Sequence, residues 1–274
     1  MSEKKLTIED IYQARPRPFI VRLIIFLIVL ALMLWSRSGI DFKGISQGAN
    51  IAKGTLYGLT HPAWNLFLDR SDTGILYLMF QTVAIAILGT LFGGILAIPV
   101  SFLASTNIVP RPITIFFRIL ILLIRTIPAL VWALMWIRVT GPGAFCGVVT
   151  QSICSIGMIS KMYITAIEDL DTGILDALDA AGCSTFEKIR CGILPQLSAS
   201  FISTVIYRFD INLKDATTLG LIGAGGIGSA LIIAISAMRW TQVGAYLFAL
   251  ILVVIFIEWC STRIRIRLAH GRQS

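Results

Sequence analysis

The stretch EDLDTGILDALDAAGCSTFEKIRCGILPQLSASF, residues 168–201, is the one long polar interruption between apolar runs in the interior of the chain. It reads as two short helices about a bend. Asp171 or Thr172 can cap the first, and Ile174, Leu175 and Leu178 fall at i, i+1 and i+4 on one side of it. Gly182 stands where a left-handed residue closes a helix. Ser184 followed three residues later by Glu187 predicts a capping box for the second helix. The apolar side of that helix is Phe186, Ile189 and Ile193, and Pro195 is expected to stop or kink it where the next apolar run begins. A chain that only has to turn round needs a few residues. Asp171, Asp176 and Asp179 sit poorly beside anionic headgroups, so the bend points to a grip outside the membrane rather than to a lipid surface.

On either side of this stretch the composition belongs to a membrane protein. Of 274 residues, 56% are hydrophobic and only 14% charged, with mean hydropathy +0.84. A soluble domain needs about a quarter charged residues to cover its surface. The net charge of +8, from 23 Lys+Arg against 15 Asp+Glu, reads as orientation in a membrane and not as nucleic-acid binding. Cys146, Cys154, Cys183, Cys191 and Cys260 form no CxxC pair, and His61 and His270 have no cysteine beside them, so no metal site is expected.

The apolar runs order the chain. Phe19–Trp35 reads as an uncleaved first span with the N-terminus in the cytoplasm. Ile45, Ile51, Leu56 and Leu59 are spaced for a helix in the outer interface. Further spans are expected over Ile75–Leu103, Ile113–Ile137, Gly143–Ile167, from Leu197, and over Val243–Cys260. The glycine-broken segment 216–235 is expected to enter the membrane only partly, which leaves Arg263, Arg265, Arg267 and Arg272 inside. The expectation is therefore six spans with both ends cytoplasmic, in three parts: 1–74, 75–268 carrying the loop 168–196, and a tail 269–274. Non-helical backbone at membrane depth survives where protein or water satisfies it, so 216–235 should line a central path.

GAGGIG, residues 223–228, formally matches a dinucleotide fingerprint but has no acid until Glu258, so its glycines read as close backbone approach instead. Arg118 and Arg125 are seven residues apart on one face of the third run. Arg208, Asp210, Asn212 and Lys214 cluster near the end of the fifth. A cation in the membrane must face protein or water. Two readings stand for these groups: one or more of Arg125, Arg208 and Lys214 keep a path electropositive, or Arg125 pairs with an acid such as Asp210 to lock two helices. Arg208 and Asn212, four apart, can share a hydrogen bond, whereas Arg208 and Asp210 do not share a face.

The residues DALDAAG, 176–182, followed by Ile193, Leu194 and Pro195, resemble the coupling-loop motif of binding-protein-dependent ABC importer permeases. Asp176 stands where that family usually has Glu, and Leu178 where it has a second Ala. Within 75–268, RTIPALVWALMW (125–136), GPGAFCGVV (141–149), GILPQ (192–196), YRFDINLKDATTLGLIGAGGIG (207–228) and Trp240 resemble the phosphonate importer permeases, to which phosphite and hypophosphite permeases are close.

The resemblance implies an all-α integral membrane protein of the type I ABC importer permease (MetI-like) fold in a bacterial inner membrane. It implies that Asp176, Ala177, Leu178, Gly182, Phe186, Ile193, Leu194 and Pro195 dock a cytoplasmic ATPase dimer. It also implies a path formed by Arg125, Arg208, Asp210, Asn212, Lys214, Gly223, Gly225, Gly226 and Gly228 at the centre of a homodimer, fed by an extracytoplasmic phosphonate- or phosphite-binding protein. The chain has no G-x-x-x-x-G-K-[ST] run, so ATP and Mg would belong to the partner ATPase, and this chain is expected to bind no cofactor and to be no enzyme. A permease for another small solute such as methionine, and an ion-coupled secondary transporter, are the alternative readings. The second expects inverted repeats that the sequence does not show.

Overall fold

Long apolar runs form long helices because a backbone in lipid must satisfy its own hydrogen bonds. The computed structural model describes residues 18–37 and 45–270, so the expectations for the N-terminal tail, for Arg272 and for the chain end lie outside the described residues. Two units divide at Lys53/Gly54. In the first, α1 (Pro18–Arg37) is apolar throughout most of its length, and α2 (Ile45–Thr60) begins where the spacing of Ile45 and Ile51 predicts.

The second unit contains the end of α2, the short α3 (Asn65–Leu68), α4 (Ile75–Leu103), α5 (Arg111–Thr126), α6 (Ala129–Thr140) and α7 (Ala144–Glu168). It continues through α8 (Thr172–Ala180), α9 (Thr185–Glu187), a π-helical turn (Lys188–Ile193), α10 (Leu194–Gly220), α11 (Ile227–Ser236) and α12 (Trp240–His270). Among the described residues, five helices are long and apolar enough to cross a membrane: α1, α4, α7, the continuous α9–π–α10 rod, and α12. The bent pair α5–α6 makes a sixth if it counts as one span. This is a multi-pass membrane protein.

The run Ile113–Ile137 is not one straight span, as its hydropathy predicts, but breaks by 86° between α5 and α6. Pro128 is the cause: it has no N–H to give the Ile124 carbonyl one turn back. The Trp132 indole N–H takes that carbonyl instead, at 3.3 Å. Arg125 consequently lies at the end of α5 and not in the middle of a span. α11 has ten residues, about 15 Å of helix against about 30 Å of hydrocarbon, so it is too short to cross by itself.

α4, α7 and α10 form the centre. Gly89 and Gly93 bring α4 onto α7, where a Cβ on Gly89 would sit 2.5 Å from the Gln151 Cβ. Small residues permit this approach where dispersion and hydrogen bonds, not water, hold helices together. Near the loop 168–196, Ile159, Tyr163 and Ile167 of α7 pack with Ala97, Phe102, Leu175, Ile193, Leu197 and Phe201. The Tyr163 and Phe201 rings stack at 4.0 Å.

Candidate functional site

The bend at 171–195 is built by local chemistry. The Asp171 side chain accepts from the Gly173 N–H at 2.9 Å and starts α8. At its end the Cys183 N–H donates to the Leu178 carbonyl and the Gly182 N–H to that of Asp179, the paired bonds of a Schellman closure. Gly182 adopts φ +77°, a conformation that other L residues enter at a cost. Ser184 and Glu187 form both halves of the capping box. Lys188 pairs with Asp179 across the bend.

Pro195 does not stop the second helix. The chain widens into the π-helical turn, in which the Leu194 N–H reaches back to the Ile189 carbonyl, and Pro195 sits in the first turn of α10. The widened register seats a proline where an α-helical ladder would lose a bond. The second half of the bend, from Thr185 on, and α10 therefore form one continuous rod.

The residues expected to dock a partner divide in two. Asp176, Ala177, Gly182, Phe186, Leu194 and Pro195 are exposed, Phe186 at 70%. Leu178 is half-buried against Gly192, and Ile193 is 1% exposed inside the core. Ile193 cannot touch a partner; it seats the bend on α7. Its alternation with Phe186 across the turn puts the two residues on opposite sides, which the apolar spacing alone had merged into one.

The second cluster lies between α7 and α10. Asn212 is fully buried and donates to Thr90 Oγ1 and Ser155 Oγ, both at 2.8 Å, while Gln151 Nε2 donates to the Asn212 carbonyl at 2.7 Å. The Arg208 Nε donates to the same Ser155 Oγ at 3.1 Å. Arg208 and Asn212 are thus joined through a residue of another helix, and not directly. A second guanidinium nitrogen of Arg208 lies 4.0 Å from Asp215. Asp210 points the other way, to Arg265 of α12 at 3.3 Å, and Lys214 pairs with Glu258 at 3.1 Å.

The lock between Arg125 and Asp210 is not formed, because Arg265 holds Asp210. Arg125 is exposed, with its stem against Gly157. Gly223, Gly225 and Gly226 all have positive φ, and the 221–226 turn interlocks with 141–147. There Gly143 donates to the Gly223 carbonyl at 2.8 Å, and a Cβ on Gly147 would fall 2.6 Å from the Ala224 oxygen. The start of α11 is capped from α4: Gln81 Oε1 accepts from Gly226 and Thr82 Oγ1 from Ile227. Gly226 and Gly228 are buried, and Gly223 and Gly225 half-buried. Among the described residues no group of three or more His, Cys, Asp or Glu can hold a metal ion.

Residues 89–268 match the family model of the binding-protein-dependent transport system inner membrane component. The chain belongs to this family. It is 33% identical over 189 residues to the phosphate-import permease protein PhnE of Mycolicibacterium smegmatis, covering 69% of this chain and 36% of that one. It is 30% identical over 181 residues to the phosphite transport system permease protein PtxC of Stutzerimonas stutzeri, covering 66% of each. The chain thus spans between about a third and two thirds of the length of these relatives. The fold is similar to that of a chain in the inward-facing MetNI methionine ABC transporter, with TM-score 0.61, 19% identity, and 71% of this chain and 95% of that chain covered.

Two features of this family member were missed by the sequence reading. Ser155 and Gln151 carry no charge or motif, yet they organise Arg208 and Asn212. A cleft of about 670 Å³, walled by Met162, Ser200, Ser203, Thr204, Tyr207 and Arg265 among others, opens between α7, α10 and α12. The polar residues at Ser200, Ser203 and Tyr207, spaced by three and four, were the available signal.

Proposed function

We propose that this chain is the membrane subunit of an ATP-driven importer for phosphorus oxyanions of the phosphonate or phosphite class, working as a homodimer with a cytoplasmic ATPase dimer and an extracytoplasmic binding protein. The observation that carries the reading is the bend itself: a doubly capped structure presents Phe186 while Leu175 and Ile193 root it in the core. A solvent-facing loop does not need such construction. An ATPase groove that accepts Phe186 and the exposed Asp176 and Ala177 would use it, and because the bend continues into α10, displacement there moves a span directly. Nucleotide binding then favours one arrangement of the spans over another, and cargo moves without chemical change.

The cargo class is supported by the names of the two relatives, which transport phosphate and phosphite. The residues proposed for the path are Arg208, Asp210, Asn212 and Lys214 with Gly223, Gly225, Gly226 and Gly228, and Arg125 at the broken helix. Reconstitution with the cognate ATPase and binding protein, with uptake competed by phosphonate, phosphite and phosphate, tests the cargo. Phe186→Asp is expected to reduce ATPase co-purification at least about tenfold, as loss of a central anchor does. Unchanged co-purification would reject the docking role, and preferential methionine uptake would reject the cargo.

A further inference from the structure

α7 ends at Glu168, three residues before the Asp171 cap that starts the bend. One oxygen of the Glu168 carboxylate accepts three hydrogen bonds there. The Thr106 N–H reaches it at 2.7 Å, the Thr106 hydroxyl donates to it, and so does Arg118 from the second turn of α5. The Arg118 Nε donates at 3.0 Å to the carbonyl of Ala104, where α4 has just ended. Asn107 donates at 2.8 Å to the carbonyl of Ile167 in the last turn of α7.

The turn 104–110 is thereby tied to the foot of α7 by the Thr106 bonds to the Glu168 carboxylate and the Asn107 bond to the Ile167 carbonyl, and Arg118 of α5 reaches both sides. Ile108 of the same turn packs on the cluster that contains Leu175, Ile189 and Ile193, directly beneath the bend. Any displacement of the bend relative to α7 is therefore felt at the α4–α5 turn.

Arg118 stands out in the sequence as a cation within an apolar run, and it is not among the residues proposed for the path. We propose that Arg118 and Glu168, with Thr106, form a positioning clamp that carries movement of the docking bend into α5 as well as into α10. A loop driving only α10 would rotate one helix. A loop clamped to the α4–α5 turn drives the hinge at Pro128 too, because Arg118 and Pro128 belong to one helix and its break. Charge-assisted hydrogen bonds suit this role, since they are short and directional. The proposal rests on the docking role of the bend.

The test uses the whole complex in lipid nanodiscs or liposomes, with cargo imported per ATP hydrolysed as the readout. Glu168→Gln and Arg118→Glu are expected to assemble with the ATPase and to hydrolyse ATP, while import per ATP falls at least about fivefold, the lower end of coupling between sites. The reversed pair Arg118→Glu with Glu168→Arg is expected to recover at least about half of that ratio. An unchanged ratio in the single variants, or loss of assembly that the reversed pair does not repair, would overturn the clamp. Phe186→Asp reports on docking independently, since it removes the ATPase and leaves the clamp intact. Spin labels at Pro110 and Gly173 of the isolated permease give a second measurement. Glu168→Gln is expected to broaden their distance distribution, and an unaltered distribution would refute the proposal without any transport assay.

Discussion

Replacing Gly225 and Gly182 in turn by alanine separates two costs that a glycine can hide. Both residues have left-handed φ, +83° and +77°. Alanine in that region costs about 1–2 kcal/mol at either position. At Gly182 the cost ends there, because a Cβ would meet nothing within 4 Å. At Gly225 a Cβ would lie 2.8 Å from both Cα and N of Ala144. These are backbone atoms that no rotamer change can move, and overpacking of this kind adds about 1–3 kcal/mol. Gly182→Ala is expected to lose about 1–2 kcal/mol and Gly225→Ala about 2–5 kcal/mol, read by denaturant titration of the detergent-solubilised protein. Gly182→Asn should lose less than Gly182→Ala, since asparagine tolerates the conformation. Ala144→Gly should not rescue Gly225→Ala, because the obstructing atoms survive the change. Equal losses for the two alanine variants would refute the claim that the 221–226 turn is interlocked with 141–147.

Two further stability measurements address the charged and polar groups in the spans. In a double-mutant cycle of Asn212→Leu and Thr90→Val, the coupling should be about 0.6–1.7 kcal/mol, as for hydrogen bonds between membrane helices, and zero coupling would contradict the 2.8 Å bond. Lys214→Ala should change stability by about 0–1 kcal/mol, because both it and Glu258 are more than half exposed. Arg265→Ala should cost about 3 kcal/mol or more, since Asp210 is buried and would lose the cation held within ion-pair distance. Equal effects in the two variants would show that the Asp210–Arg265 pair is solvated.

Local chemistry was legible in advance. The Asp171 cap, the closure at Gly182 and the Ser184–Glu187 box each involve residues within five positions of one another, so their geometry follows from the sequence order alone. The helix Ile75–Leu103 was legible to the residue, because its apolar run and its flanking breakers coincide. Pro128 shows the limit. A proline within a span is sometimes absorbed and sometimes breaks it, and here the outcome depends on Trp132 being placed to take the freed Ile124 carbonyl. Pro195 shows the converse, a proline expected to stop or kink a helix that instead runs on through a π-helical turn.

Membrane insertion, the course of most long helices and the construction of one polar bend were all readable from residue order. Hydropathy, capping and glycine placement act over a few neighbouring residues, and these properties need nothing further. Which charges meet depends on how distant helices pack. Arg265 took Asp210 instead of Arg125, Ser155 joined Arg208 to Asn212, and Glu168 gathered Thr106 and Arg118 from 62 and 50 residues away. An ion or an amide in low dielectric bonds to whatever the packing of other helices brings within about 3 Å, and that distance is set by the fold and not by spacing along the chain.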